Sequence, residues 1–405
     1  MILIEVLRLT NRKKCGLFTA KVLFLPKFHR MYIHQYVEWP NFSWDKLQIA
    51  NKLAKINKAA GFLAGKLNAL GFDNLQSAVV ETVSNDIISS SAIEGVMLNS
   101  EQVRSSVARK LGVAIPNEVD SSHYIEGIVE MMLDATVNFR QPLTGDRLFG
   151  WHCCLFPSGR SGYSTIDVGK YRSGEMRVVS GGFMHEKIHY VAPSPDRIEI
   201  EMKRFLEWFN DVGTENDYLK SAIAHFWFVA IHPFDDGNGR IGRAIADMAL
   251  SQADDSQMRF FSMSRQINKN KHSYYDILER TQTSDCEITE WLNWYLDCMA
   301  DAIADADNML SQVLDKAAFW QTYGQFGLTE RQKQIINIYL DGYKGKLTVK
   351  NWAKHARISP DTAARDIKDL IEKGILEPQP GKVRDVNYGI RCNGKVIVCG
   401  RKDED

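Results

Sequence analysis

The sequence predicts a mainly α protein that carries one β-hairpin in its middle and a small unit, late in the chain, with the element order of a winged helix-turn-helix. Three observations predict this class. Apolar residues recur at helical spacing through most of the 405 residues. Two short β-like runs, 177–182 and 187–191, flank a Gly/Met/His turn and read as a hairpin. Beyond Phe326, three short helical patterns precede two apolar strand-like segments.

The elements follow in order. Residues 1–30 hold seven Lys/Arg against one Glu and read as a basic extension, with Met31 a candidate start, because an ordinary folded pattern begins near Tyr32. Leu47, Leu53 and Ile56 open a helical stripe that runs through Phe62, Leu63, Leu67 and Leu70 to a stop at Gly71. A second helix passes through Val79, Val80, Val83 and Ile87 into Ser89-Ser90-Ser91. Helical patterning resumes after Pro116 at Ile125, Ile128, Met131, Met132 and Leu133, and again over 148–155. There, His152 reads as a satisfied core histidine and Cys153-Cys154 as buried packing. A turn-rich loop at 157–162 leads to the hairpin, which Ala192-Pro193-Ser194-Pro195 ends. The next helix sets Ile198, Met202, Phe205 and Phe209 on one face, and later patterns cover 274–278 and 288–296. A helical connector, 306–325, precedes the last unit, 326–402. Its helices are expected at 334–340, 349–355 and from the Ser359 cap and Pro360 first turn to Lys373-Gly374. Wing strands are expected at Ile375-Leu376 and Val386-Asn387-Tyr388.

Composition narrows the classes. Fifty basic residues balance fifty acidic ones, so the whole molecule is not built as a polyanion binder, although 326–402 carries sixteen Lys/Arg against eight Asp/Glu. Seven cysteines form no C-x-x-C pair, which fits free thiols in a reducing compartment. No apolar run reaches membrane-spanning length, and Lys21 breaks the segment 16–25. The expectation is a soluble, cytoplasmic protein with no membrane partner.

The most informative stretch is His232-Pro233-Phe234-Asp235-Asp236-Gly237-Asn238-Gly239-Arg240-Ile241-Gly242-Arg243. The apolar run 222–231 reads as a helix, and a residue before proline is steered out of the αR region, so that helix should stop at His232. Asn238 is expected to cap a new helix carrying Ile241, Ala244, Ile245 and Met248. Gly237 and Gly239 then sit at its N-terminus, where free N–H groups and the dipole favour an anion. Arg240 and Arg243 lie three apart and reach over the same anion, as suits a polyphosphate. Asp236 is placed to hold Mg²⁺ with phosphate oxygens, and His232 to take a proton from an attacking hydroxyl. Singly, each residue has a plain alternative as a helix end, a turn or a solvated face. Together they point to nucleotidyl or phosphoryl transfer.

This run resembles the signature of the Fic family, H-P-F-x-[DE]-G-N-G-R-x-x-R, at every fixed position. The resemblance implies a helical core that transfers AMP from ATP to a Ser, Thr or Tyr hydroxyl of a target protein, and to itself. It makes His232 the general base and Asp236 the Mg²⁺ ligand. Gly237, Asn238 and Gly239 become the anion hole, Arg240 and Arg243 the grips on the β- and γ-phosphates, and Ile241 and Gly242 lie within the same nucleotide-binding run. Ser90-x-x-x-Glu94-Gly95 resembles the inhibitory motif of many Fic proteins, in which the glutamate pairs with the second signature arginine, here Arg243. By the same resemblance the hairpin is a flap holding the target by strand addition, with Val179, Ser180, Gly181 and Gly182 near the nucleotide, and Tyr274 and Tyr275 border the adenine. A surface hairpin and two core tyrosines are the plain alternatives.

Composition, element order and the resemblance together give an organisation of 1–30 extension, 31–115 helical regulatory segment, 116–305 Fic core, 306–325 connector and 326–402 winged helix. The winged helix is a candidate DNA reader by its basic excess, or a docking or dimerisation unit, since its third helix mixes Asp361, Asp366, Asp369 and Glu372 with Arg365, Lys368 and Lys373. A second copy of the chain is a candidate partner. Two other functions fit the same residues: removal of AMP from a modified protein, and nucleotide sensing by a DNA-binding regulator.

Overall fold

Helices dominate because long amphipathic segments with good caps are joined by short polar turns. The computed structural model describes residues 31–67, 72–180, 187–211, 213, 217–257, 259–343, 345–380, 386–392 and 394–398. The expected extension 1–30, the stop at Leu70-Gly71, and Gly181 and Gly182 lie outside the described residues.

Fourteen α-helices stand among the described residues. The first group is α1 (Lys46–Leu67), α2 (Phe72–Ile93), α3 (Ser100–Leu111), α4 (His123–Val137) and α5 (Gly145–Leu155). Asn99, Ser122 and Thr144 cap α3, α4 and α5 by accepting a backbone N–H in the first turn. A small antiparallel pair, β1 (Arg160–Ser161) with β2 (Ser164–Thr165), follows, and then the hairpin of β3 (Arg177–Ser180) and β4 (Lys187–Val191). Its register shifts between Val178 and Val179.

Next come α6 (Ile198–Asn210), α7 (Asp217–Ile231), α8 (Asn238–Ala253), α9 (Met263–Lys269), α10 (Lys271–Gln282) and α11 (Thr289–Tyr323). The last unit holds α12 (Glu330–Leu340), α13 (Val349–Ala356) and α14 (Pro360–Glu372), then an antiparallel sheet of β5 (Leu376–Pro378), β6 (Tyr388–Cys392) and β7 (Lys395–Val398) in that order. Ser359 caps α14 with Pro360 at its first position, and Thr329 and Gln332 form a capping box on α12. Strand β7 lies beyond the two wing segments expected.

The main core centres on α7 and α8. Helix α7 is apolar on nearly every side from Tyr218 to Ile231, and Gly242 of α8 approaches so closely that a Cβ there would lie 3.0 Å from Val229. Helix α11 closes the bundle with Trp291, Leu292, Tyr295 and Leu296 and continues through 306–323 without a break. Its far end enters a second core, where Phe319 packs with Ile336, Trp352, Leu370 and Ile390. Among the described residues, no helix is long and apolar enough to cross a membrane.

Two expectations need correction. Cys153 is exposed and Cys154 half-buried, because Leu148, Trp151, His152 and Leu155 take the core face of α5. Asn238 is not a cap: Gly237, in the left-handed region at φ 82°, is the N-cap of α8, and Asn238 is its first residue. The Asn238 carboxamide instead ties the loop together, accepting from Phe234 N–H at 2.9 Å and donating to Phe234 C=O at 2.8 Å.

Candidate active site

The end of α7 presents His232. Its φ of 53° is a left-handed conformation that a non-glycine residue rarely adopts, and it turns the chain sharply into Pro233. The Nδ1–H donates to Val229 C=O at 3.1 Å, which leaves the Nε2 lone pair as the basic site. Burial lowers the His232 pKa to about 4, with the Val229 bond opposing and Arg172 reinforcing the shift. The imidazole is therefore neutral and able to accept a proton at pH 7.

Arg172 holds this turn from behind. Its buried guanidinium donates to the carbonyls of His232 at 2.8 Å, Gly174 at 2.7 Å and Pro193 at 2.6 Å, so it joins the histidine to the end of the hairpin. Phe234 is fully buried and stacks on His152 at 4.3 Å. His152 accepts from Gly169 N–H and donates to Asp236 C=O, both at 3.2 Å, which makes it the core histidine expected.

Asp236 follows with one carboxylate oxygen on Gly237 N–H at 2.6 Å and the other bound to the Ser161 hydroxyl. A side chain at Gly237 would strike Phe156 at 2.9 Å, so glycine is required there by space as well as by φ. Because the N-cap has no side chain, the opening amides of α8 have no capping partner. Arg240 lies over the Phe156 ring at 5.0 Å and donates to Tyr124 Oη at 3.1 Å, and its Nε is buried without a partner. Arg243 is 2% exposed; Nε and Nη2 donate to Ser90 Oγ at 2.9 Å and Ser90 C=O at 2.8 Å.

Glu94 closes the arrangement. Its carboxylate accepts from Arg243 Nη2 at 2.8 Å and sits against the start of α8, where a Cβ on Gly239 would lie 2.2 Å from Oε1. Arg243 Nη1 is left buried with no partner. Helix α10 fastens the end of α2, since Tyr275 Oη donates to Ile93 C=O at 3.1 Å and Lys271 to Ala92 C=O at 3.3 Å.

The structure thus brings together His232, Asp236, Gly237, Asn238, Gly239, Arg240, Arg243, Ser90 and Glu94. Ile241 is a core residue and Gly242 a helix-packing residue. The two tyrosines separate: Tyr274 is buried with its hydroxyl on His225 at 2.9 Å, whereas Tyr275 is 41% exposed. Val179 and Ser180 are exposed on β3. Arg172, Ser161 and Tyr124 were not expected at the site, and their distance in sequence leaves no local pattern that would announce them.

A protein-family profile described as "Fic/DOC family" matches residues 142–250. Those residues form a Fic/DOC domain. A second profile, described as a domain of unknown function (DUF4172), matches 32–113, which includes Glu94. The Fic relatives include the "Protein adenylyltransferase Fic" of Culex quinquefasciatus, 28% identical over 232 residues that cover 55% of this chain and 41% of that protein. The protein of the same name from Nematostella vectensis is 24% identical over 219 residues, 52% of this chain and 46% of that one. The chain thus spans less than half the length of these relatives. Among solved structures, a Fic family protein from Desulfovibrio desulfuricans G20 has a TM-score of 0.49 at 22% identity, covering 86% of this chain and 96% of that one. Fic-1 from C. elegans has a TM-score of 0.48 at 18% identity, with coverages of 66% and 75%.

Proposed function

We propose that this chain is an ATP-dependent protein adenylyltransferase whose resting state is held by Glu94. One observation carries the reading: a neutral imidazole with a free Nε2 shares a single loop with an uncapped helix N-terminus and two buried arginines. The amides that open α8 bind phosphate oxygens, and Arg240 and Arg243 spread over the rest of the triphosphate. The hydroxyl of a target protein attacks the α-phosphorus while His232 Nε2 takes its proton, and pyrophosphate leaves.

Asp236 is the residue that fits Mg²⁺. Among the described residues, no cluster of three or more His, Cys, Asp or Glu side chains is placed for a metal. A lone carboxylate beside a phosphate cradle is nevertheless the donor set Mg²⁺ takes when phosphates and water complete the shell. Its Oδ1 and Oδ2 are held by Gly237 N–H and Ser161. The bound ion would neutralise phosphate charge there.

Glu94 supports the resting state, because its carboxylate takes a donor of Arg243 and crowds the amide end of α8. The same position suits a glutamate that activates water, so removal of AMP from a modified protein is the second reading. Intact mass of the Glu94→Gly chain after incubation with ATP and Mg²⁺ tests the first: a gain of one AMP unit on the chain or on an added protein supports it, and nucleotide binding without transfer in that variant refutes it. The free thiols of the described cysteines fit a cytoplasmic setting.

For the unit from α12 to β7, one observation favours nucleic acid. Asp366 is turned inward to Arg331 and Trp352, and the part-exposed Asp369 is paired with Gln332 and Lys373, so Arg365 and Lys368 stand exposed on α14 with Asp361 and with Glu372, which lies 3.8 Å from Lys368. Binding to duplex DNA that weakens steeply with salt would support it.

A further inference from the structure

A cavity of about 330 Å³ lies between α1, α2, α9 and α11, and no residue of the candidate active site lines it. Its wall is mostly apolar, built by Leu63, Ala78, Phe261, Ala302, Ala306 and Leu310 among others. Met309 and Val313, which also line it, are 43% and 47% exposed, so the cavity reaches solvent past apolar side chains. That size, with a largely apolar wall and a few polar groups, is typical of a small-molecule site. At the roughly 30 Å³ that one water takes in the liquid, the space holds a chain of about ten non-hydrogen atoms. It admits one short chain and excludes a nucleotide or a two-chain lipid.

The charged groups of the wall are unequally partnered. Asp305 accepts from Gln266 at 2.7 Å and from Lys269. Glu81 accepts from Asn85 at 3.0 Å, stands 3.9 Å from Arg104 and has a largely exposed side chain. Arg265 has no carboxylate: among the described residues its guanidinium bonds only to Met309 Sδ, at 3.7 Å. A thioether is a weak acceptor, so most N–H donors of this half-buried cation suit a carboxylate brought by a ligand. The nearby Asp305 and Glu81 disfavour a ligand with more than one negative charge.

Helix α2 connects the cavity to Glu94. Ala78, Glu81, Thr82 and Asn85 of α2 face it, and the next residue, Asp86, accepts from Ser262 Oγ and Ser264 N–H ahead of and within α9. Ser90 and then Glu94 follow at intervals of one turn, about 14 Å from Asn85 along the axis. The cavity is present while Glu94 is paired with Arg243, so a molecule that fits it favours that arrangement.

We propose that this cavity binds a short-chain amphipathic monoanion, with its tail among the apolar side chains and its carboxylate on Arg265, and that the bound molecule fastens α2 with Glu94 in the paired position. The binding site is independent of the chemistry at His232, whereas its effect on labelling rests on the transferase reading.

The test uses the full chain with decanoate, below its micellar concentration, and decanol as the uncharged control. By calorimetry, decanoate is expected at a single site, with at least about a tenfold loss of affinity in Arg265→Met, which keeps the stem and removes the charge. Decanol should bind both proteins alike within a few-fold. Ala306→Phe, which occupies the space, should abolish binding of both. Hydrogen exchange over residues 86–95 should slow several-fold with decanoate in wild type and stay unchanged in Arg265→Met. With ATP and Mg²⁺, decanoate should lower AMP labelling of wild type several-fold and leave Glu94→Gly within about twofold, as expected of ordinary coupling between sites. No binding, or binding indifferent to Arg265→Met, overturns the site. Binding with unchanged exchange, or an equal loss of labelling in wild type and Glu94→Gly, overturns the hold on Glu94. Decanoate bound through Arg265 with no labelling in either protein removes the transferase reading and leaves the site standing.

Discussion

Arg243 is a buried guanidinium whose donors are divided among Ser90, Glu94 and an empty direction. In the proposed transferase, the charge-assisted bond to Glu94 takes a nitrogen that would otherwise meet phosphate, so removing the carboxylate should free the cation for nucleotide. Glu94→Gly is expected to raise AMP labelling by on the order of tenfold, in the range of ordinary coupling between sites. His232→Ala should abolish transfer and leave ATP affinity within a few-fold, as measured by calorimetry, because the arginines and amides remain. The pKa of His232, lowered to about 4, makes a further prediction. The rate should stay level as pH falls from about 8 to about 5.5, with no loss near the usual histidine value. Stability behaves differently. His225 is lowered to about 3 and His232 to about 4, against 6.5 when unfolded, so below pH 6.5 the unfolded chain binds more protons than the folded one. Tm should therefore fall as pH drops from 6.5 towards 4, and a Tm that is flat over that range would contradict the lowered pKa of the two rings.

At the scale of elements, a second tie between α2 and α8 lies behind the Glu94 pair. Arg259 Nη2 stands 2.5 Å from Asp247 on α8 and 3.9 Å from Asp86 on α2, while Asp86 also accepts from Ser262 and from Ser264 N–H. Burial pushes the Asp247 carboxyl well above the usual carboxylate range, with Arg259 opposing. Arg259→Met would leave the two carboxylates without their cation, and should cost about 3–5 kcal/mol in denaturant unfolding. The same change should loosen α2 and raise basal labelling. Much at this scale was legible. The stop of α7 at His232 followed from Pro233, the opening of α14 from Ser359-Pro360, and the hairpin from its β-branched runs. The Gly237 cap was not, because a carboxamide beside a helix start is read as a cap until the loop that competes for it is seen. Arg172 was also hidden, since its role depends on three carbonyls from distant parts of the chain. Two-residue strands such as β1 and β2 carry too little pattern to announce themselves.

Across the whole molecule, α11 links two cores. From its start to its middle it is bound by α1, through Lys52 to Asp297 and Lys66 to Asp307, each at 2.6 Å. Near its end it is bound by the C-terminal unit, through Lys316 to Asp341 at 2.6 Å, Trp320 to Asn337 at 2.9 Å and Cys392 Sγ to Asp315 C=O at 2.9 Å. Thirty-five residues of α-helix span about 52 Å. Phe319→Ala should open a cavity in the second core alone, costing about 3–5 kcal/mol there. A melt followed by calorimetry should then split, with the C-terminal unit unfolding first and AMP labelling unaffected by its loss.

Helix α10 has a wider consequence. Through Lys271 and Tyr275 it clips the tail of the segment bearing Glu94, and through Glu279, 2.5 Å from His189 Nδ1, it props the hairpin. On the proposed reading, brake and loading arm hang from one rod, so cargo that drags on the arm should also tug at the brake.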